Sequence, residues 1–154
     1  MTQVGFESDE IDTSAPTRAA RLKWVVIVNR ALPAGLAVNA AVCVASATSP
    51  AIAGLLGEGV NDADGTWHPG LPWAGCSVLS ADTETLRSIR AKAEAHPETF
   101  VADMPAAAQQ TRVYDEYRES VSGSSGDDIE YYALSIVGPR NRVDRLVGRL
   151  PLLP

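Results

Sequence analysis

Apolar residues along the chain fall into short blocks separated by turn-forming residues, and these blocks predict strands and helices in alternation. The segment 22–28 is a nearly unbroken run of β-branched and other apolar residues, which predicts a central strand buried on both faces. Apolar runs at 76–79, 99–102 and 129–137 predict three further strands. Asp64-Gly65 predicts a tight turn between the first two strands.

Helices are predicted in the intervals between these strands. The first is rich in alanine, which is typical of a helix packed closely against a neighbouring element. The third repeats apolar residues on one face and has Asp82 or Thr83 as its N-cap. In chain order the predicted helices are 37–47, 50–56, 84–95, 105–121 and 141–150.

This alternation predicts an α/β fold in three layers. We expect a four-stranded, mostly parallel or mixed sheet with helices on both faces. A single domain at residues 21–154 would carry the sheet, and residues 1–20 would form a flexible acidic arm in front of it. Ligands of open sheets bind beyond the carboxyl ends of the strands, so a site is expected near residues 29–40.

Composition narrows the function classes. The 154 residues are 45% hydrophobic and 21% charged, which is typical of a globular protein. The net charge of -6 makes nucleic acid an unlikely partner, since tight binding needs a basic field. We expect no membrane span, no signal peptide and a cytoplasmic location. Cys43 and Cys76 are expected to be buried free thiols.

Two stretches of the chain resemble the type II peptidyl-tRNA hydrolases. The matching positions in the first strand and helix are Lys23, residues 25–28, Leu32, Gly35, Ala40 and Ala41. Those near the C-terminus are Gly138-Pro139, Asn141, Val143-Asp144, Gly148, Leu150 and Leu152-Leu153. This resemblance implies that family's scaffold, and the scaffold is compatible with a homodimer.

A bacterial branch on the same scaffold, domain of unknown function 2000, is more similar still over residues 21–153. Its features are Leu32-Pro33-x-Gly35-Leu36-Ala37-x-Asn39-Ala40, then Asp62-Ala63-Asp64-Gly65-x-x-His68-Pro69-Gly70, then Gln110, Tyr114 and Tyr117. The resemblance implies a fold and a branch, and it carries no assigned activity.

The departures from the hydrolase pattern indicate a repurposed scaffold. Leu36 and Val38 stand where that family has its loop lysines. Val42 and Ala45 replace its helix Gln and His, and Ala107 replaces a Thr. Losing one polar catalytic group typically costs several kcal/mol of transition-state stabilisation, so losing most of them should abolish that reaction.

Three residues are the candidate catalytic groups. Asp103 is expected at the carboxyl end of the third strand as a general base, with a helix-start carboxylate as the alternative. Asn39 would orient a carbonyl or carboxylate near a helix N-terminus, or would pack locally. His68, close to Asp62 and Asp64, would supply acid/base chemistry, or would belong to a simple turn. The candidate substrate-binding residues are Arg30, Leu36, Asp64, Trp67, Gln110 and Tyr114.

These residues favour a cofactor-free acid/base enzyme acting on a small organic substrate, for example an amine–carbonyl condensation of the Pictet–Spengler type. A non-catalytic metabolite-binding or regulatory module is the alternative, followed by residual peptidyl-tRNA hydrolysis. No cofactor is expected. Asp62-x-Asp64-Gly65 is similar to the start of a calcium loop, but Trp73 stands where the closing Glu would be, so no metal is expected.

Overall fold

The structure is a computed structural model, and it describes residues 3–154. Its strands are β1 (Leu22–Asn29), β2 (Val60–Asn61), β3 (Trp67–His68), β4 (Ser77–Ala81), β5 (Phe100–Pro105) and β6 (Tyr131–Pro139). Its α-helices are α1 (Ala34–Thr48), α2 (Thr83–Glu94), α3 (Ala107–Gln110), α4 (Tyr114–Ser122) and α5 (Arg140–Val147), with 3-10 turns at Thr17–Ala19 and Ser49–Ala51. The predicted α/β alternation is confirmed.

The main sheet has the strand order β4-β1-β6-β5, with β1 in its interior as predicted. Only β1 and β4 run parallel, whereas β6 is antiparallel to both β1 and β5. The sheet is therefore mixed, which is one of the two arrangements that the sequence predicts, and it has one parallel pair of strands. The last strand of the chain inserts between two earlier ones, an arrangement that the β/α alternation does not reveal.

Helices cover both faces of this sheet, which confirms the three layers. Along β1 the side chains alternate, so that Trp24, Val26 and Val28 pack toward α1 while Val25 and Ile27 pack toward α2 and α5. Because both sets are buried, the strand has no polar face. This two-sided burial accounts for the unbroken apolar run in the sequence.

A buried chain of hydrogen bonds joins α1 to the sheet. The Trp24 indole Nε1–H donates to Ser135 Oγ at 2.8 Å, and Ser135 Oγ lies 2.6 Å from Thr48 Oγ1. Thr48 Oγ1 donates to the Val44 carbonyl at 2.7 Å, so its proton is used and Ser135 must donate to it. Every donor in this chain is therefore paired although all the groups are buried.

The expected N-terminal arm packs on the domain in the part that the structure describes. Phe6 is buried in the core, stacks on Trp73 with ring centroids 4.9 Å apart, and donates its backbone N–H to the Ala53 carbonyl. Glu10 forms an ion pair with Arg21. Within residues 3–20 the segment therefore contacts the domain through Phe6 and Glu10, whereas its flexibility and the domain boundary at residue 20 stay predictions. The expectation for residues 1 and 2 lies outside the described residues.

Two of the predicted helices differ from the helices of the structure. The segment 105–121 is not one helix, because β5 continues to Pro105 and the helical part is divided between α3 and α4. The helix expected at 50–56 is a single 3-10 turn, Ser49–Ala51. The helix cap at Asp82 is confirmed, since its carboxylate accepts the Thr85 N–H at 2.8 Å.

The continuous helical stretch Ala34–Ala51 is long and apolar enough, by length and composition alone, to cross a membrane. In the fold it packs against the sheet through a stripe of small or β-branched residues, Ala37, Ala40, Val44 and Thr48. Core helices of soluble domains pass the same test. Of this stretch 22% is buried in the fold, and Leu36, Val38 and Val42 are exposed on its other side.

We predict that Ser135→Ala lowers the free energy of unfolding by about 1–3 kcal/mol, because it leaves the buried Trp24 donor without a partner. The double variant Trp24→Phe/Ser135→Ala should lose less stability than the two single variants lose in sum, because it no longer contains the unpaired indole donor. Chemical denaturation of the four proteins measures the cycle. Ser46→Ala, on the exposed side of α1, should change stability by less than about 0.5 kcal/mol. A loss that small for Ser135→Ala would contradict the role of the chain.

Candidate functional site

A cavity of about 590 Å³ lies between α1 and α4 beside the edge strand β5. We call it the α1–α4 cavity. Its walls are Asn39, Cys43, Ala47, Asp103, Met104, Ala108, Thr111, Arg112, Val113, Tyr114 and Tyr117. Three of the residues predicted from the sequence, Asn39, Asp103 and Tyr114, are among them.

The packing of α1 places one of its stripes in this cavity. Asn39, Cys43 and Ala47 recur every four residues, so they share one face of the helix. Each precedes by one position a residue of the buried stripe, such as Val44 or Thr48. Because one residue turns a helix by about 100°, the cavity stripe lies directly beside the stripe that contacts the sheet.

The opposite wall depends on the break between α3 and α4. Thr111 has an extended backbone and its hydroxyl donates to the Ala107 carbonyl at 2.8 Å, which closes α3. Val113 is also extended, so α4 restarts in a new direction at Tyr114. The rings of Tyr114 and Tyr117 then lie 5.5 Å apart at an interplanar angle of 53°. Burial, the Asp103 carboxylate and Tyr114 together raise the pKa of the Tyr117 phenol.

Asp103 lies within β5 and not beyond its end, which corrects the expected placement. It pairs with Leu134 of β6, and its Oδ2 accepts from Arg90 Nε of α2 at 2.7 Å. The next residue, Met104, packs in the core cluster on the α1 side. Since neighbouring side chains in a strand point to opposite faces, the Asp103 carboxylate is directed to the α2 side. It is half-buried and ion-paired there. Because β5 is an edge strand, Asp103 also borders the α1–α4 cavity near Tyr117.

Asn39 is held by a residue that the sequence did not single out. Gln109 Nε2 donates to Asn39 Oδ1 at 3.0 Å and to the Leu36 carbonyl at 3.0 Å. Gln109 Oε1 is buried and has no hydrogen-bond partner in the described part of the chain. In a continuous helix Gln110 would share a face with Tyr114. Because the helix is interrupted at Thr111, Gln109 is the residue that contacts Asn39.

The Asp62, Asp64 and His68 cluster forms a hairpin away from the cavity. β2 and β3 pair in antiparallel fashion, and Gly65 takes a φ of 85°, so the predicted Asp64-Gly65 turn is confirmed. Asp62 Oδ1 accepts the N–H groups of residues 64 and 66, each at 2.9 Å. His68 Nε2 lies 3.2 Å from Asp62 Oδ2. The backbone N–H of Thr66 and the His68 contact lower the pKa of Asp62.

The remaining predicted residues are dispersed. Within residues 3–154, His68, Asp64, Trp67, Arg30, Leu36 and Gln110 are not part of the cavity wall. Arg30 is exposed and pairs with Asp82 at 3.4 Å. Trp67 is 61% exposed, and Leu36 contributes its carbonyl to Gln109 rather than its side chain to the cavity. The cavity therefore lies beside the middle of α1 and not in the loop after β1.

The two cysteines are exposed, which corrects the expectation of buried thiols. Cys43 lies on the cavity stripe of α1, beside the stripe that contacts the sheet. Cys76 directly precedes β4. Part of this residue is exposed, but protein atoms packed around its sulfur desolvate the thiolate and raise the pKa of the thiol to about 11. The apolar neighbours of Cys43 suggested burial because α1 is apolar on its exposed side as well, at Val38 and Val42.

A larger groove of about 680 Å³ lies between α2 and α5. Its charged residues have both signs and are Glu84, Lys92, Asp144, Arg145 and Arg149. This mixture is typical of a solvated surface, so we do not treat the groove as the site. No group of three or more His, Cys, Asp or Glu side chains in residues 3–154 is arranged to hold a metal ion.

Fold and cavity define the class of protein: a three-layer α/β domain with a mixed four-stranded sheet and a partly apolar cavity against one helix. The structure is similar to that of Atu0240, a protein of unknown function from Agrobacterium tumefaciens strain C58. The TM-score is 0.76 at 20% sequence identity, over 86% of this chain and 97% of that chain. At this identity the likeness shows the fold alone.

The chain belongs to the DUF2000 family, a family of proteins of unknown function whose profile matches residues 22–154. The resemblance drawn from the loop motifs is thereby confirmed. No curated protein matches the chain.

Thiol labelling tests the corrected positions of the cysteines. At pH 7.5 a maleimide should modify Cys43 at least about ten times faster than Cys76, because the thiolate is the nucleophile and the pKa of Cys76 is raised. Mass spectrometry of the wild type and of Cys43→Ser measures both rates. Faster modification of Cys76, or no modification of Cys43 without denaturant, would contradict the structure.

Proposed function

We propose that this protein binds a small organic molecule in the α1–α4 cavity. The observation that carries the proposal is the pairing of a polar group, Asn39, with the aromatic pair Tyr114 and Tyr117 around about 590 Å³. Ligand pockets typically measure about 300–1,000 Å³ and combine apolar walls with a few fixed polar groups. The cavity has both properties, with Met104 and Ala108 adding apolar wall.

The geometry supports a metabolite-binding or regulatory module ahead of the acid/base enzyme. Catalysis as predicted would need Asp103, Asn39 and His68 around one substrate. His68 lies on the hairpin, and the Asp103 carboxylate is engaged by Arg90 on the α2 side of the sheet. Binding requires only the groups that do line the cavity.

Acid/base turnover in the same cavity is the second candidate function. It is favoured by one observation: Asp103 and Tyr117 both border the cavity, and burial together with the Asp103 charge raises the pKa of the Tyr117 phenol. A phenol kept protonated beside a carboxylate is a donor and acceptor pair of the kind that an amine–carbonyl condensation needs. In this case Asp103→Asn would abolish turnover while ligand affinity is kept. A cytoplasmic location and a homodimer stay predictions of the sequence.

Filling the cavity tests the leading proposal. Saturation-transfer NMR with a library of small metabolites should give hits with the wild type. Ala47→Phe places a ring in the space beside Asn39 and Cys43, so affinity for those hits should fall at least about tenfold, or 1.4 kcal/mol.

Val38→Phe is the matched control, because Val38 is exposed on α1 and is not part of the cavity wall. It should bind the same hits as the wild type does. Hits that bind Ala47→Phe equally well would place the ligand elsewhere, and a library without hits would count against binding.

A further inference from the structure

We propose that the ligand of the α1–α4 cavity is an organic carboxylate with a flat apolar body. Asn39 and Arg112 receive the carboxylate, and the Tyr114–Tyr117 pair receives the body. This inference rests on the proposed function, since it assigns the chemistry of the same cavity.

The orientation of two side-chain amides is the first step. The group that Gln109 presents to α1 lies 3.0 Å from the Leu36 carbonyl, which is an acceptor only. That group must therefore be the Gln109 amino group, because its oxygen would face another oxygen. The same amino group lies 3.0 Å from Asn39, so the atom of Asn39 at that position is the acceptor Oδ1. A main-chain carbonyl thus fixes both amides.

This arrangement determines that Asn39 offers the cavity a hydrogen-bond donor. With Oδ1 of Asn39 occupied by Gln109, the group that Asn39 has left to offer is Nδ2–H₂, a donor. Its complement on a ligand is an acceptor. Tyr117 adds a phenol with a raised pKa, which remains a hydrogen-bond donor at neutral pH.

The charges around the cavity favour an anion. Among residues 3–154, Arg112 lies within 4.0 Å of no carboxylate, so its positive charge is unpaired. The carboxylate of Asp103, the other charged group of the cavity wall, is neutralised by its ion pair with Arg90 at 2.7 Å. Arg112 therefore leaves a positive charge at the cavity with which an anionic ligand can pair.

The aromatic wall indicates the shape of the ligand. Tyr114 and Tyr117 meet in a tilted pair, and aromatic rings add to such pairs through offset or edge contacts. Met104, on the sheet side, has a thioether that also contacts rings favourably. A flat body therefore has partners on two sides of the cavity.

Four probes with one body and different head groups test the assignment: 3-phenylpropionate, 3-phenylpropionamide, 3-phenylpropanol and 3-phenylpropylamine. Titration calorimetry at pH 7.5 should rank the carboxylate first, with an affinity about tenfold above the amide, because hydrogen bonds from a cation to a carboxylate are stronger than neutral ones. The amine should bind most weakly.

Variants then separate the two receiving groups. Arg112→Gln should remove about tenfold of the carboxylate affinity and leave that of the amide unchanged. Arg118→Gln makes the same change of charge on α4 outside the cavity wall and should have no effect. Gln109→Leu should reduce the preference for carboxylate over amide, because Asn39 is then free to rotate, whereas Gln110→Leu should not.

The possible results are distinct. Equal or tighter binding of the amine or amide overturns the carboxylate assignment and leaves the binding function standing. Loss of carboxylate affinity in Arg118→Gln as large as in Arg112→Gln overturns the role of Arg112. Absence of binding by all four probes, together with an NMR screen without hits, overturns both the assignment and the proposed function.

Discussion

The close contact of α1 with the sheet is the constraint on which the site depends. The contact is made by small side chains and is fixed by the buried Trp24–Ser135–Thr48 hydrogen bonds, in which every donor has an acceptor. These bonds set the rotation of α1 about its axis. The rotation decides which neighbouring stripe faces α4, and so it places Asn39 and Cys43 in the cavity wall.

Much of the layer architecture could be predicted because it is encoded in local patterns. The two-sided burial of β1 gives an unbroken apolar run, and the N-cap at Asp82 marks the start of α2 within one residue. Strand order is not local. The insertion of β6 between β1 and β5 results from pairing across distant parts of the chain, so the sequence left open whether the sheet is mostly parallel or mixed and did not reveal its strand order.

The site was predicted only in part, for the same reason. Asn39, Asp103 and Tyr114 were identified, but which of them share a space depends on the break at Thr111 and on the strand face that carries Asp103. The break is made by Thr111, a single β-branched residue whose hydroxyl donates to a carbonyl of the preceding turn. One such residue is too short a signal to be recognised in the sequence. Gln109 was not predicted because in a continuous helix its side chain would not share the face of Gln110 and Tyr114. The His68 cluster is a turn held by Asp62.

The most direct test of the central claim is to map where a ligand contacts the protein. Backbone amide shifts should be followed by NMR while 3-phenylpropionate is titrated into the wild-type protein. The account predicts saturable shifts at Asn39, Cys43, Arg112 and Tyr117, and no shifts in the β2–β3 hairpin. Saturable shifts confined to that hairpin, or to the groove between α2 and α5, would contradict the placement of the site in the α1–α4 cavity.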